Sequence, residues 1–306
     1  GAAGTGSAAA SYGAQAGAVG IEDSFAGIDS DSDGVWDVYE GLWDDDGDGV
    51  ANPADSSDDD DTLSPAQEGA GNGDPATALD SDTDGIPNFR DTDDDGDSVP
   101  TRNEDPNGDD DPTNDDTDLD TIKNYLDADD DGDGVLSRDE DADGNDSALG
   151  DDTDLDGVQD YLDTDDDGDG VLSKNENPNG TGGPLDDDTD LDGSPNYRDS
   201  DDDGDRVSTR SEDLNGNDNP NDDNTDGDLL ANYLDADDDN DGVLSRREDR
   251  NGDGNPVNDN TDFDSKPNYL DADDDNDGVL SAEEDVNDNL DPLDDDTDRD
   301  GRPNFL

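Results

Sequence analysis

Cysteine, histidine and methionine are all missing from this 306-residue chain, and basic residues number 14 against 99 acidic ones. The three absences together remove disulfides, thiolate nucleophiles, imidazole bases and soft-metal ligands, and with them zinc and copper centres. Apolar bulk is scarce as well. Leu, Ile, Val and Phe make up 43 of the 306 residues, below the level at which a chain usually buries enough surface to fold on its own. No run approaches the roughly 18 apolar residues of a membrane span. The formal net charge of -85 repels nucleic acid and anionic membranes, so neither a nucleic-acid partner nor membrane insertion is expected. The chain does not open on a basic segment followed by an apolar one, so any secretion signal is expected to be already gone.

What is abundant is aspartate, and it is placed with regularity. Two carboxylates 4 Å apart repel by about 4 kcal/mol at an effective dielectric near 20. Clusters such as Asp201, Asp202, Asp203 and Asp205 therefore cannot compact without counter-ions. From Asp44 onward a period of 36 residues holds without insertion or deletion. Each period contains two twelve-residue loops with oxygen ligands at positions 1, 3, 5 and 12, usually with Gly at position 6, which is the ligand spacing of an EF-hand-type Ca²⁺ loop.

The first loop of each repeat supplies Asp44, Asp46, Asp48 and Asp55; Asp80, Asp82, Asp84 and Asp91; Asp116, Asp118, Asp120 and Asp127. It continues with Asp152, Asp154, Asp156 and Asp163, where Asp160 adds position 9, and with Asp188, Asp190, Asp192 and Asp199. Later copies give Asp226, Asp228 and Asp235; Asp262, Asp264 and Asp271; and Asp296, Asp298 and Asp300. The second loop supplies Asp93, Asp95, Asp97 and Glu104; Asp129, Asp131, Asp133 and Glu140; Asp165, Asp167, Asp169 and Glu176. Its later copies are Asp201, Asp203, Asp205 and Glu212; Asp237, Asp239, Asp241 and Glu248; Asp273, Asp275, Asp277 and Glu284. Ahead of the periodic part, Asp29, Asp31, Asp33, Asp37 and Glu40 fill positions 1, 3, 5, 9 and 12 of a separate loop. A weaker third loop fills the rest of each repeat, as at Asp105, Asn107 and Asp109 or Asp249, Asn251 and Asp253. Weak or empty sites are expected there.

Two apolar rows run in the same register. Position 10 of the first loop is Phe89, Tyr125, Tyr161, Tyr197, Tyr233, Tyr269 or Phe305, and position 7 of the second is Leu63 or a Val from Val99 to Val279. They form a thin spine and the one candidate core. Arg102, Arg138, Lys174, Arg210 and Arg246 recur at position 10 of the second loop and are expected to relieve charge between neighbouring acidic loops.

Helices of the EF-hand kind are not expected, because Pro87, Pro195, Pro267 and Pro303, with Pro106, Pro178, Pro220, Pro256 and Pro292, stop any helix early. The motif D-x-D-x-D-G-x-x-D/N-x-x-D, met by Asp152 to Asp163 and Asp80 to Asp91, resembles the thrombospondin type 3 repeats in their Cys-free, bacterial form. The resemblance implies a linear, Ca²⁺-stabilised repeat array of loops wrapped around ions, with little regular helix or strand. Thr62, Ser98 and Arg206 depart from it by replacing Gly, and Ser265 with Lys266 departs likewise. At one ion per loop the chain would hold roughly 16 to 22 Ca²⁺. With a Kd near 0.1 mM, about 1 mM Ca²⁺ adds roughly 1.4 kcal/mol per site.

The expected organisation is a Gly/Ala-rich arm over 1–28, an atypical capping loop over 29–43, and an acidic array of about seven repeats over 44–306. The arm reads equally as a flexible tail or as an extended segment that docks on another subunit. Catalysis is not expected, since nearly every Asp is accounted for by a repeated ligand position. The leading expectation is an extracellular calcium-dependent structural protein that assembles with itself head to tail. Its last loop runs from Asp296 only to position 11 at Leu306, one ligand short. The alternatives are a rigid spacer in a larger cell-surface adhesin and an ion buffer or mineral template.

Overall fold

The computed structural model describes residues 28–71, 74, 77–217, 219–287, 292–299 and 301–306. The arm expected over 1–28 thus lies, but for Ile28, outside the described residues, as does Asp300 of the last loop. Regular structure among the described residues is one helical turn, α1 (Asp37–Glu40), and eighteen short 3-10 turns. Two of these turns recur in each repeat at positions 9 to 11 of a loop, as at Asp160–Leu162 and Ser173–Asn175. A third opens on proline in most copies, as at Pro184–Asp186 and Pro256–Asn258. Where an EF-hand would begin its exiting helix, the chain makes one turn. In the first loops it then goes extended at the closing ligand, as at Asp163 with φ -115° and ψ 125°, whereas the closing Glu of the second loops does not, as at Glu176 with φ -86° and ψ 41°.

Most loops are tied at the neck by one backbone bond, the loop at 57–68 being an exception because Pro65 has no N–H to give. The N–H of position 9 donates to the carbonyl just before position 1, Ser173 to Thr164 at 3.0 Å and Ser281 to Ala272 at 3.0 Å. In the second loops the small spacer residue is the acceptor of that bond, and in the first loops it is the residue just before the loop, as Asp151 is for Asp160 at 3.0 Å. Inside the loop the aspartates hold the backbone. In 165–176, Asp167 Oδ1 accepts from the N–H of Asp169 at 3.1 Å, and Asp169 Oδ1 from Val171 at 2.6 Å. This spends one carboxylate oxygen per residue on the fold and leaves the other pointing inward.

The chain divides into two compact units, residues up to Asp94 with Asp109–Asp111, and Asp95–Gly108 with Pro112–Leu306. Within each, the apolar rows meet as the spine required. In the first unit Val35, Ala70 and Phe89 form a cluster with Tyr39 and Ala78 packed against it. In the second, Val99 packs with Ala148 and Tyr161, and Val207 with Tyr269 and Leu270. In both clusters of the second unit the valine and the tyrosine stand at the same offset along the chain. The structural repeat therefore begins at the second loop: 165–200 is one unit, and 201–236 is the next one that covers it.

Candidate metal centres

The second loops form enclosed cages in every copy but the one at 273–284. In 165–176, Asp167, Asp169 and Glu176 are joined by Asp202, and one carboxylate oxygen from each lies within 4.8 Å of all the others. That separation is what oxygens bound at 2.3–2.6 Å to one hard cation can span. Asp131, Asp133, Glu140 and Asp166 make the same constellation one repeat earlier, and Asp33, Glu40 and Asp58 make it around the capping loop. Glu176 and Asp202 are nearly devoid of exposed surface. Both oxygens of each, with Oδ2 of Asp167 and Asp169, are buried without any hydrogen-bond partner. Buried ionised groups left so are very costly, and a cation at their centre removes the cost.

The charge state says the same. Burial, then Asp167, Asp169 and Asp202, push the Glu176 carboxyl up to about 12. Asp202 is pushed up to about 10 by burial and by Asp169 and Asp167, and Glu140 to about 11 by burial and by Asp131 and Asp166. Without an ion, these groups bind protons at neutral pH. With one, they could serve as its ligands.

The fourth carboxylate is the residue that loop spacing overlooks. Asp58, Asp94, Asp130, Asp166, Asp202, Asp238 and Asp274 occupy position 2 of the second loops, and all seven are buried. In an isolated twelve-residue loop position 2 faces out. Here it faces the cage of the preceding repeat. The sequence carries the signal, since position 2 is aspartate in every second loop.

The following repeat contributes more than a ligand. The Tyr233 phenol is pushed up by burial and by Asp202, Glu176 and Asp169, which places it over the same cage. Hydrogen bonding to Thr209, along with Val171 N–H, holds the Asp169 carboxyl down against the larger upward effect of burial. Arg210 Nη1 donates to the Gly168 carbonyl at 2.7 Å and lowers both Asp165 and Asp169 against burial. The basic row acts in this copy as charge relief between successive loops.

The first loops are open by contrast. Asp44, Asp46 and Asp48 gather within the same 4.8 Å but stay largely exposed. Asp163 at position 12 is raised by burial and by Asp156, Asp154 and Asp165, and Asp127 by burial and by Asp120, Asp118 and Asp129. Position 1 of the second loop is thus shared with the first. Asp165 Oδ1 is itself buried and unpartnered.

Position 9 is hydrogen-bonded within its own loop. Asp160 accepts from Thr153 N–H at 2.7 Å and from its hydroxyl at 2.8 Å, and Asp37 accepts from Ser30 in the same way. Most other copies carry Asn here, as Asn196 does with Thr189, so the residue is a loop staple. The third loops are hydrogen-bonded too. Asn107, Asn179 and Asn251 donate side-chain N–H to Asp115 at 2.7 Å, Asp187 at 2.6 Å and Asp259 at 3.1 Å.

No helix among the described residues is long and apolar enough to cross a membrane. A scan against protein-family models finds no match, and a search of curated proteins finds none either.

Proposed function

We propose that the chain is an extracellular, Ca²⁺-dependent structural protein of the thrombospondin type 3-like kind, in which ions take the place of a hydrophobic core. The observation that carries this reading is the cage of Asp167, Asp169, Glu176 and Asp202. Its ion would be held by two successive repeats at once, so binding fixes one repeat on the next. Oxygen-only ligands and a long closing Glu suit the large, adaptable shell of Ca²⁺ better than the strict octahedron of Mg²⁺. The reading assigns no catalysis.

Within it, the protein is a filament subunit. Asp275, Asp277 and Glu284 form the one second loop whose valine, Val279, is exposed, and a second copy, through its arm at residues 1–28, supplies the carboxylate and apolar cover that interior loops receive from the following repeat. The other reading, a spacer of a larger adhesin, fills the same loop with a further repeat of the same chain. Electron microscopy in millimolar Ca²⁺ and after chelation tests the first. Filaments that dissolve on chelation are expected, and particles that stay monomeric in Ca²⁺ at every concentration leave the spacer reading.

A further inference from the structure

The two loop types share one backbone and differ in what they place on its most exposed corner. Position 4 is left-handed in both. In the second loops it is Asp60, Gly96, Gly132, Gly168, Gly204, Asn240 or Asn276, the residue types that accept positive φ at least cost. In the first loops of four repeats it is Leu119, Leu155, Leu191 or Phe263, at φ from 63° to 65°, where a bulky side chain is strained. These four side chains are 80 to 84% exposed. The repeat that has Gly227 at position 4 instead carries Leu229, which is 99% exposed, two residues on.

Neither local geometry nor packing asks for these residues. Gly47 and Gly227 adopt the same conformation at the same position, and nothing in the fold covers the apolar side chains. Four of the eight first loops place a large apolar residue outward at this strained position, in a chain short of such residues, while Gly47, Thr83, Gly227 and Arg299 stand there in the others. Each is also framed by charge. Leu155 stands between Asp154, held by the N–H of Asp156 at 2.8 Å, and Asp156, held by Val158 at 2.8 Å. Asp190 and Asp192 frame Leu191 likewise. The four or five carboxylates in and next to such a first loop, four where Asn260 stands at position 1, exceed the charge of one divalent cation, so the surround stays negative when the loop is filled.

We propose that this row is a docking surface for a polypeptide partner that presents apolar side chains on a basic backbone. A second copy of this chain would bring carboxylates against carboxylates, and a lipid surface would bring its phosphates against them. A basic apolar segment answers both the leucines and their frame, and the repetition adds successive contacts with no new chemistry. The proposal does not depend on which cation fills the loops.

The test uses the full chain in millimolar Ca²⁺ and a variant with Leu119→Ser, Leu155→Ser, Leu191→Ser and Phe263→Ser. Two labelled peptides serve as probes, one alternating lysine and leucine and one alternating lysine and serine, equal in length and charge. Fluorescence anisotropy is expected to show the wild type binding the lysine–leucine peptide at least about tenfold more tightly than its counterpart, as burial of even one leucine gives. The variant should keep its melting temperature and lose that preference. Equal preference in wild type and variant would overturn the proposal. So would a variant that keeps the preference but loses self-association in sedimentation, or loses binding to neutral phosphatidylcholine vesicles, because the occupant is then a second copy or lipid.

Discussion

Residues 165–176 and 273–284 are nearly the same loop, DDDGDGVLSKNE and DDDNDGVLSAEE, yet only the first is a closed cage. Val171 is 1% exposed and Val279 is 37% exposed. Glu176 is pushed up to about 12, whereas Glu284, raised by burial and by Asp275 and Asp277, reaches about 7. The interior loop has Asp202, Thr209, Arg210 and Tyr233 of the following repeat around it. No described residues stand at those offsets from the later one. Twelve residues thus fix the ligands, and closure is a property of two repeats.

The largest way to break the comparison is to remove the cation. Chelation at neutral pH is expected to abolish the cooperative thermal transition and the near-ultraviolet signal of the buried tyrosines, in interior and last repeats alike. A transition that survives chelation unchanged would show that the cages do not stabilise the fold. Acid should partly replace the ion. The cage carboxyls have pKa values above their unfolded ones, so the stability they lend the ion-free protein is complete below about pH 4.5. It is lost as pH rises, through about 7 for Glu284 and towards 12 for Glu176. A melting transition in chelator should therefore be present near pH 4 and move to lower temperature as pH rises until it is lost near neutrality, opposite in sign to the Ca²⁺ form, in which protons compete for the site.

Next in size is the cover. Tyr233→Ala removes a buried ring over the interior cage and should cost about 3–5 kcal/mol by denaturant titration, with a loss of Ca²⁺ affinity. A smaller change goes to the bridging ligand. Asp202→Asn should weaken one interior site tenfold or more, about 1.4 kcal/mol in millimolar Ca²⁺, although Asp202 lies outside the loop that contains Glu176. Asp277→Asn in the open loop should change stability by less than about 0.5 kcal/mol. Equal effects of the two in calorimetry would erase the distinction. Smaller than the Asp202→Asn effect is that of Arg210→Gln, expected to cost about 0.5–1 kcal/mol through the lost bond to the Gly168 carbonyl and the lost charge relief.

Much of this site could be read from spacing. Asp167, Asp169 and Glu176 stand where a ligand loop requires them, because the alternation that turns side chains inward is local. Asp202 could not be read the same way, since what it faces is 26 or more residues away in the chain. Asp160 shows the opposite limit. Its position number suggests a ligand, and spacing gave no hint that Thr153, seven residues earlier, donates two hydrogen bonds to it. The Asn at this position in other repeats points to that role.

The sequence by itself determined that the chain repeats, that its loops carry oxygen ligands at fixed steps, that prolines halt its helices after one turn, and that it cannot compact on apolar area alone. All of these follow from local geometry and composition. Only the tertiary structure decided which loops are enclosed and which stay open, that each cage takes its fourth carboxylate and its aromatic cover from the following repeat, and that the left-handed leucines remain outside. Burial and charge at a site are set by what packs on it from elsewhere in the chain, and a twelve-residue pattern does not carry that.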